Sequence, residues 1–107
     1  MTNSRSKGKR GELEVANILR EHGYDARRGQ QYCGANGDAD VVGLDGYHLE
    51  VKRVEAARIW DWLEQARNDA KEGETPVIVH RKNGEKWIAI LSFDDFLELV
   101  GDSNAGV

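Results

Sequence analysis

Asp40-Val41-Val42-Gly43-Leu44-Asp45-Gly46-Tyr47-His48-Leu49-Glu50-Val51-Lys52 is the stretch on which the fold turns. Two apolar-rich runs flank Asp45-Gly46, a strong hairpin signal, which predicts strands over 40–44 and 47–53. Side chains alternate along a strand, so Glu50 and Lys52 share one face while Leu49 and Val51 share the other. Loop length decides what stands opposite Glu50. A two-residue loop pairs Leu44 with Tyr47 and leaves Asp40 opposite Val51, on the wrong face. A three-residue loop with Gly46 left-handed pairs Gly43 with Tyr47 and Asp40 with Glu50. The sequence allows both.

Upstream, residues 7–22 carry a helical pattern with Gly23 as its stop. Glu12, Val15, Ala16 and Leu19 fall on one face, so a carboxylate heads the apolar stripe. A short strand is expected over 24–28, followed by a polar, glycine-rich loop over 29–38. Downstream, a helix over 56–71 is followed by a strand over 76–81. Asn83-Gly84 turns into a strand over 86–91, and Ser92 with Asp95 caps a short helix over 93–100. The link between the Glu50 and Val77 strands has the length of a right-handed crossover, so these strands should be parallel. The expected architecture is α/β: a mixed five-stranded sheet flanked by helices in the order αβββαββα.

The 107 residues suit one domain, with 1–5 and 101–107 as flexible ends. No apolar run approaches the roughly 20 residues of a membrane span, and no signal peptide opens the chain. The single cysteine, Cys33, and three scattered histidines exclude an internal disulfide and a cysteine-based zinc site, which points to a reducing cytoplasm. The net charge of −4 hides an asymmetry. Residues 1–28 hold seven basic and four acidic groups, a net of +3, and the remainder carries −7. A basic front end serves either as a solvated surface or as a contact for a polyanion.

If Asp40, Glu50 and Glu12 converge, their mutual repulsion demands a cation or a shared proton. Two carboxylates ~4 Å apart repel by about 4 kcal/mol at an effective dielectric near 20. Oxygen ligands alone favour Mg²⁺, with Mn²⁺ as a substitute. Lys52 at the rim of such a site would orient or deprotonate a water, or stabilise charge on a phosphate. These parts suit metal-assisted hydrolysis of a phosphodiester. His22, His48 and His80 read as isolated structural residues. Trp60, Trp62 and Trp87 read as core or subunit interface.

Three short motifs in this order resemble the PD-(D/E)XK nuclease superfamily, and within it archaeal-type Holliday junction resolvases and similar short phage and bacterial endonucleases. They are Lys7-Gly8-Lys9-Arg10-Gly11-Glu12, Gly37-Asp38-Ala39-Asp40-Val41-Val42 and Glu50-Val51-Lys52. The resemblance spans about residues 6–100. It implies metal ligation by Asp40, Glu50 and the Val51 carbonyl, Lys52 as the catalytic lysine, and Glu12 as a further acid acting directly or through water. Gln65 resembles a helix glutamine that lies near the site in many members; a plain surface amide fits its spacing equally. Ala39 replaces the proline of the superfamily name, and Asp38 competes with Asp40, which abuts the apolar strand. The serine that often precedes the aspartate has no counterpart among Gln30, Gln31, Tyr32 and Cys33.

The resemblance implies a Mg²⁺-dependent endonuclease for branched DNA, most readily a Holliday junction resolvase serving recombination or repair. Lys7, Lys9, Arg10, Arg27, Arg28, Gln30, Gln31 and Gln65 are the expected DNA contacts. Phosphate contacts of this kind set affinity and its salt dependence rather than base specificity. Paired cuts in a four-way junction imply a homodimer. The alternatives are a nicking or end-processing nuclease without junction preference, and a non-catalytic DNA-binding module of the same fold.

Overall fold

The computed structural model describes residues 4–30 and 39–105. Its elements are α1 (Ser4–Glu21), β1 (Arg27–Arg28), β2 (Val41–Val42), β3 (Tyr47–Arg53), α2 (Ile59–Asp69), β4 (Thr75–Arg81), β5 (Ile88–Ile90) and α3 (Phe93–Ala105). The strands form one sheet in the order β1-β2-β3-β4-β5. Only β3 and β4 run parallel; every other neighbouring pair is antiparallel. The αβββαββα order and the mixed five-stranded sheet are those expected.

Several elements differ in length from expectation, for local reasons. Tyr24 is withdrawn from the first strand by the end of α1. Its N–H donates to Leu19 O at 3.1 Å while Gly23 N–H donates to Arg20 O at 3.0 Å, with Gly23 at φ +94°. This Schellman closure consumes the backbone group that a strand would use. Helix α2 starts at Ile59 rather than Ala56, because Arg58 stays non-helical (φ −128°, ψ 61°) and supplies no side-chain cap. Helix α3 continues through Gly101 to Ala105, past the expected end at Val100. A helical glycine costs only about 1 kcal/mol, and no proline intervenes. Ser92 caps this helix as expected, its Oγ accepting the Asp95 N–H at 3.1 Å. Gln31, Tyr32, Cys33 and Asp38 of the expected loop lie outside the described residues.

The hairpin register settles the question left open by loop length. Val41 pairs with Leu49, so the adjoining Asp40 stands opposite Glu50. Tyr47 N–H closes the turn on Leu44 O at 3.2 Å with Gly46 at φ +85°, and Gly43 takes φ +115°. At Gly43 a Cβ would strike the Asp25 carbonyl and lie 2.6 Å from Ala26 Cα. Only glycine combines that torsion with that approach. The extra residue in the connection turns Asp40 toward Glu50.

The two faces of the sheet are covered separately. On one, Val15 and Ala16 of α1 pack with Ala26, Val41, Leu49, Val51 and Val77. On the other, Trp62, Leu63 and Ala66 of α2 pack on Ile78. Each fully buried aliphatic side chain is worth roughly 1.5–3 kcal/mol relative to exposure. Leu49 and Val51 thus anchor β3 to the α1 layer and turn His48, Glu50 and Lys52 toward the α2 layer. Helix α1 comes close to the sheet at Gly11, where a Cβ would lie 2.8 Å from Arg53 Cβ and 3.3 Å from the Trp87 ring.

Candidate active site

Asp40 and Glu50 form a linked carboxyl pair at the β2–β3 junction. Asp40 Oδ2 accepts the Val51 N–H at 2.8 Å. The Asp40 pKa is pushed up from 3.8 to about 8, by burial first and then by the hydrogen bond and negative charge of Glu50; the Glu12 charge adds to the rise. Burial also acts to raise Glu50. Hydrogen bonds from His48 and Asp40, with the charges of His48 and Lys52, outweigh it and hold Glu50 below the ordinary carboxylate value. In the absence of a cation the pair therefore divides its charge: Asp40 keeps the proton and Glu50 the negative charge.

Lys52 lies two residues along from Glu50 on the same face, its Nζ 5.8 Å from the Trp62 ring centroid. That ring also packs at 4.9 Å against His80, whose Nδ1 lies 2.8 Å from Lys52 O. The lysine thus projects from a braced strand. Glu12, on α1, accepts a hydrogen bond from Arg28 Nε at 3.1 Å. Its charge is felt at Asp40, while the carboxylate pairs with the Arg28 guanidinium across the α1–β1 gap.

The expected DNA contacts occupy different surroundings. Lys9, Arg10, Arg27, Arg28 and Gln30 are exposed. Lys7 is instead tied to Glu55 at 3.2 Å, beyond the far end of β3. Gln65 is exposed on α2. Trp62 sits beside Lys52 while Asp69 groups with His48, so α2 runs opposite to β3 and Gln65 stands near the level of Glu50. Trp62 is core on the α2 face and partly buried Trp87 packs against the separate core on the α1 face, but Trp60 is 81% exposed at the start of α2.

His48 is not an isolated structural residue. It is 4% exposed, and its Nε2 lies 2.6 Å from Glu50 Oε1. The Glu50 hydrogen bond raises the His48 pKa against the opposing effect of burial. Asp69, not singled out by the sequence reading, completes a group with His48 and Glu50 whose ligand atoms lie within 4.8 Å of one another. The signal for His48 was available: it is two residues from Glu50 on a strand, hence on the same face. Nothing in the local sequence marked Asp69, which the crossover brings in.

A comparison with protein families matches residues 3–105 to the family described as "Phage putative PDDEXK endonuclease". The chain belongs to that family. Membership makes this PDDEXK endonuclease a nuclease, for which DNA is the implied substrate, and such nucleases typically use divalent metals. No curated protein and no solved structure matches the chain. No helix among the described residues of this phage-type endonuclease is long and apolar enough to cross a membrane.

The carboxyl pair of the endonuclease fits such a metal. Two acids pressed together in partial burial, one held neutral only by a proton, are what a dication resolves by replacing that proton. The N–H and C=O of one strand residue face the same edge, so the Val51 carbonyl is turned toward Asp40 together with its N–H.

Proposed function

We propose that this endonuclease is a Mg²⁺-dependent Holliday junction resolvase, with Asp40, Glu50 and the Val51 carbonyl as metal ligands and Lys52 as the catalytic lysine. The observation that carries the reading is Asp40 opposite Glu50, with Lys52 on the same face of the same strand. A bound Mg²⁺, or Mn²⁺ in its place, would polarise the scissile phosphate and acidify a water. Asp40 must give up its proton for the ion to bind. The Lys52 ammonium, held beside the Trp62 ring, stabilises charge on the phosphate and orients the attacking water. Glu12 acts on Asp40 through its charge and through a water.

Exposed Lys9, Arg10, Arg27 and Arg28, with Gln30 and Gln65, supply backbone contacts to DNA; the expected contact Gln31 lies outside the described residues. Contacts to phosphates select shape over base sequence, which suits a branched substrate in recombination or repair within the bacterial cytoplasm. Symmetric cuts in two opposed strands need two sites about a two-fold axis, hence a homodimer. A face is available for it: Phe93, Phe96, Leu97 and Val100 form an exposed stripe along α3, with Phe93 at 72% exposure.

Incubating labelled four-way, flap and duplex DNA with and without Mg²⁺ tests the reading. Paired symmetric nicks confined to the four-way substrate support the resolvase. Equal cleavage of all three substrates would replace it with a nicking or end-processing nuclease. Binding without cleavage at every metal concentration would leave a DNA-binding module.

A further inference from the structure

We infer that His48, Glu50 and Asp69 form a second cation site, distinct from the Asp40–Glu50 pair and selective for a nitrogen-accepting transition ion such as Zn²⁺, Co²⁺ or Mn²⁺. The site shares Glu50 with the catalytic reading above but does not depend on cleavage chemistry.

The donor set is one imidazole and two carboxylates. Imidazole suits zinc and its first-row neighbours, whereas Mg²⁺ takes oxygen and water. His48 is nearly sealed, its Nε2 directed at Glu50 Oε1. That 2.6 Å separation is one bridged by a proton. An ion with bonds of about 2.1 Å needs its ligands roughly 3.0–3.4 Å apart, a small opening. Exposed Asp69, at the end of α2, has the freedom to swing in from within 4.8 Å.

A second observation concerns the other ring nitrogen. His48 Nδ1 faces Glu74 Oε1 at 3.8 Å, and that same oxygen accepts the Lys71 N–H at 2.8 Å. A carboxylate held by backbone behind Nδ1 favours a proton there, which leaves the Nε2 lone pair for the ion. Metal-bound histidines generally show this outer carboxylate or carbonyl. His48, Asp69 and Glu74 also line a cavity of about 170 Å³, which brings water to the His48 and Asp69 side of the site although Glu50 does not line it.

Glu50 is thereby placed between two sites, with Asp40 on one side and His48 on the other. A carboxylate has two oxygens and can bridge two ions.

The test uses the full chain carrying Asp40→Asn, stripped of metal by chelation and titrated with Co²⁺ alone. The expected result is one equivalent bound, with visible absorption and a paramagnetically shifted imidazole proton. His48→Gln should remove the shifted proton and weaken binding at least tenfold. Asp69→Asn, an exposed change that leaves the core untouched, should weaken it about tenfold and Glu74→Gln to a similar degree. Co²⁺ affinity unchanged by Asp69→Asn and His48→Gln, or the absence of an imidazole signal, would overturn the site. In the Asp40→Asn background, Asp69→Asn should weaken the Co²⁺ signal whatever a separate cleavage assay of the parent chain shows. A parent chain that never cleaves DNA with Mg²⁺ counts against the nuclease reading alone, since the titration contains no DNA.

Discussion

Asp40→Asn separates what the Asp40 carboxyl does for chemistry from what it costs the fold. Between 3.8 and about 8 the folded chain holds a proton on Asp40 that the unfolded chain has released, so stability falls as pH rises through that interval. Glu50 works in the opposite sense: its lowered pKa gives stability that is present above 4.5 and lost as pH falls below it. His48, raised above 6.5, gives stability that is complete below 6.5 and lost as pH rises through its folded value. Between pH 4.5 and 6.5 Asp40 is therefore the one member of the trio still changing the balance. One proton is worth at most about 1.4 kcal/mol per pH unit, hence about 3 kcal/mol across this window. Residual solvent access and sharing of the proton with Glu50 reduce this to on the order of 1.5 kcal/mol. Asparagine still accepts the Val51 N–H but has no proton to lose. Thermal unfolding in a chelator should show the parent losing roughly 6–12 °C relative to Asp40→Asn between the two pH values. The difference between the two curves cancels titrations unrelated to this site. Parallel curves, or a variant less stable at pH 6.5, would refute the assignment of the shared proton to Asp40. Metal-dependent cleavage should be lost in the same variant.

The other expectations concern single residues. Glu50→Gln and Lys52→Ala should each reduce metal-dependent DNA cleavage by about 10³-fold or more in single-turnover assays while DNA binding in a gel-shift assay persists. Near-normal turnover would remove that residue from the chemistry. Arg28→Ala should weaken DNA binding and lower the slope of log K against log salt by about one unit, read by fluorescence anisotropy; an unchanged slope returns Arg28 to a purely structural pairing with Glu12. Leu97→Asp, in the exposed α3 stripe, should convert a dimer to monomers by light scattering with little change in melting temperature; an unaltered mass would place the interface elsewhere.

How far the sequence is legible depends on whether a feature is local. Glu50 and Lys52 could be placed on one face from strand alternation alone, and the Asp-Gly turn brought Asp40 to the neighbouring strand, because period-two geometry and turn chemistry act over a few residues. The same signal left the register ambiguous. Resolving it took the observed pairing of Val41 with Leu49, with Gly43 pressed on the Asp25–Ala26 backbone, an approach that no window of sequence contains. His48 was legible by its spacing from Glu50 and was passed over because a lone histidine carries little signal. Asp69 was not legible, since its place depends on how a crossover helix returns along the sheet. The retreat of the first strand to Arg27–Arg28 follows from a helix end that reaches one residue past its glycine.

The bare backbone at Gly11 sets a clearance between helix and sheet, and the residue beside it is Glu12. A methyl group at position 11 would act as a wedge against Arg53 and Trp87, tilting the front of the helix outward. Glu12 would then be drawn away from Arg28, which is anchored on β1, and the ion pair between helix and sheet would open. Position 11 thus guards an ion pair in which it takes no part, through the seat it gives the helix.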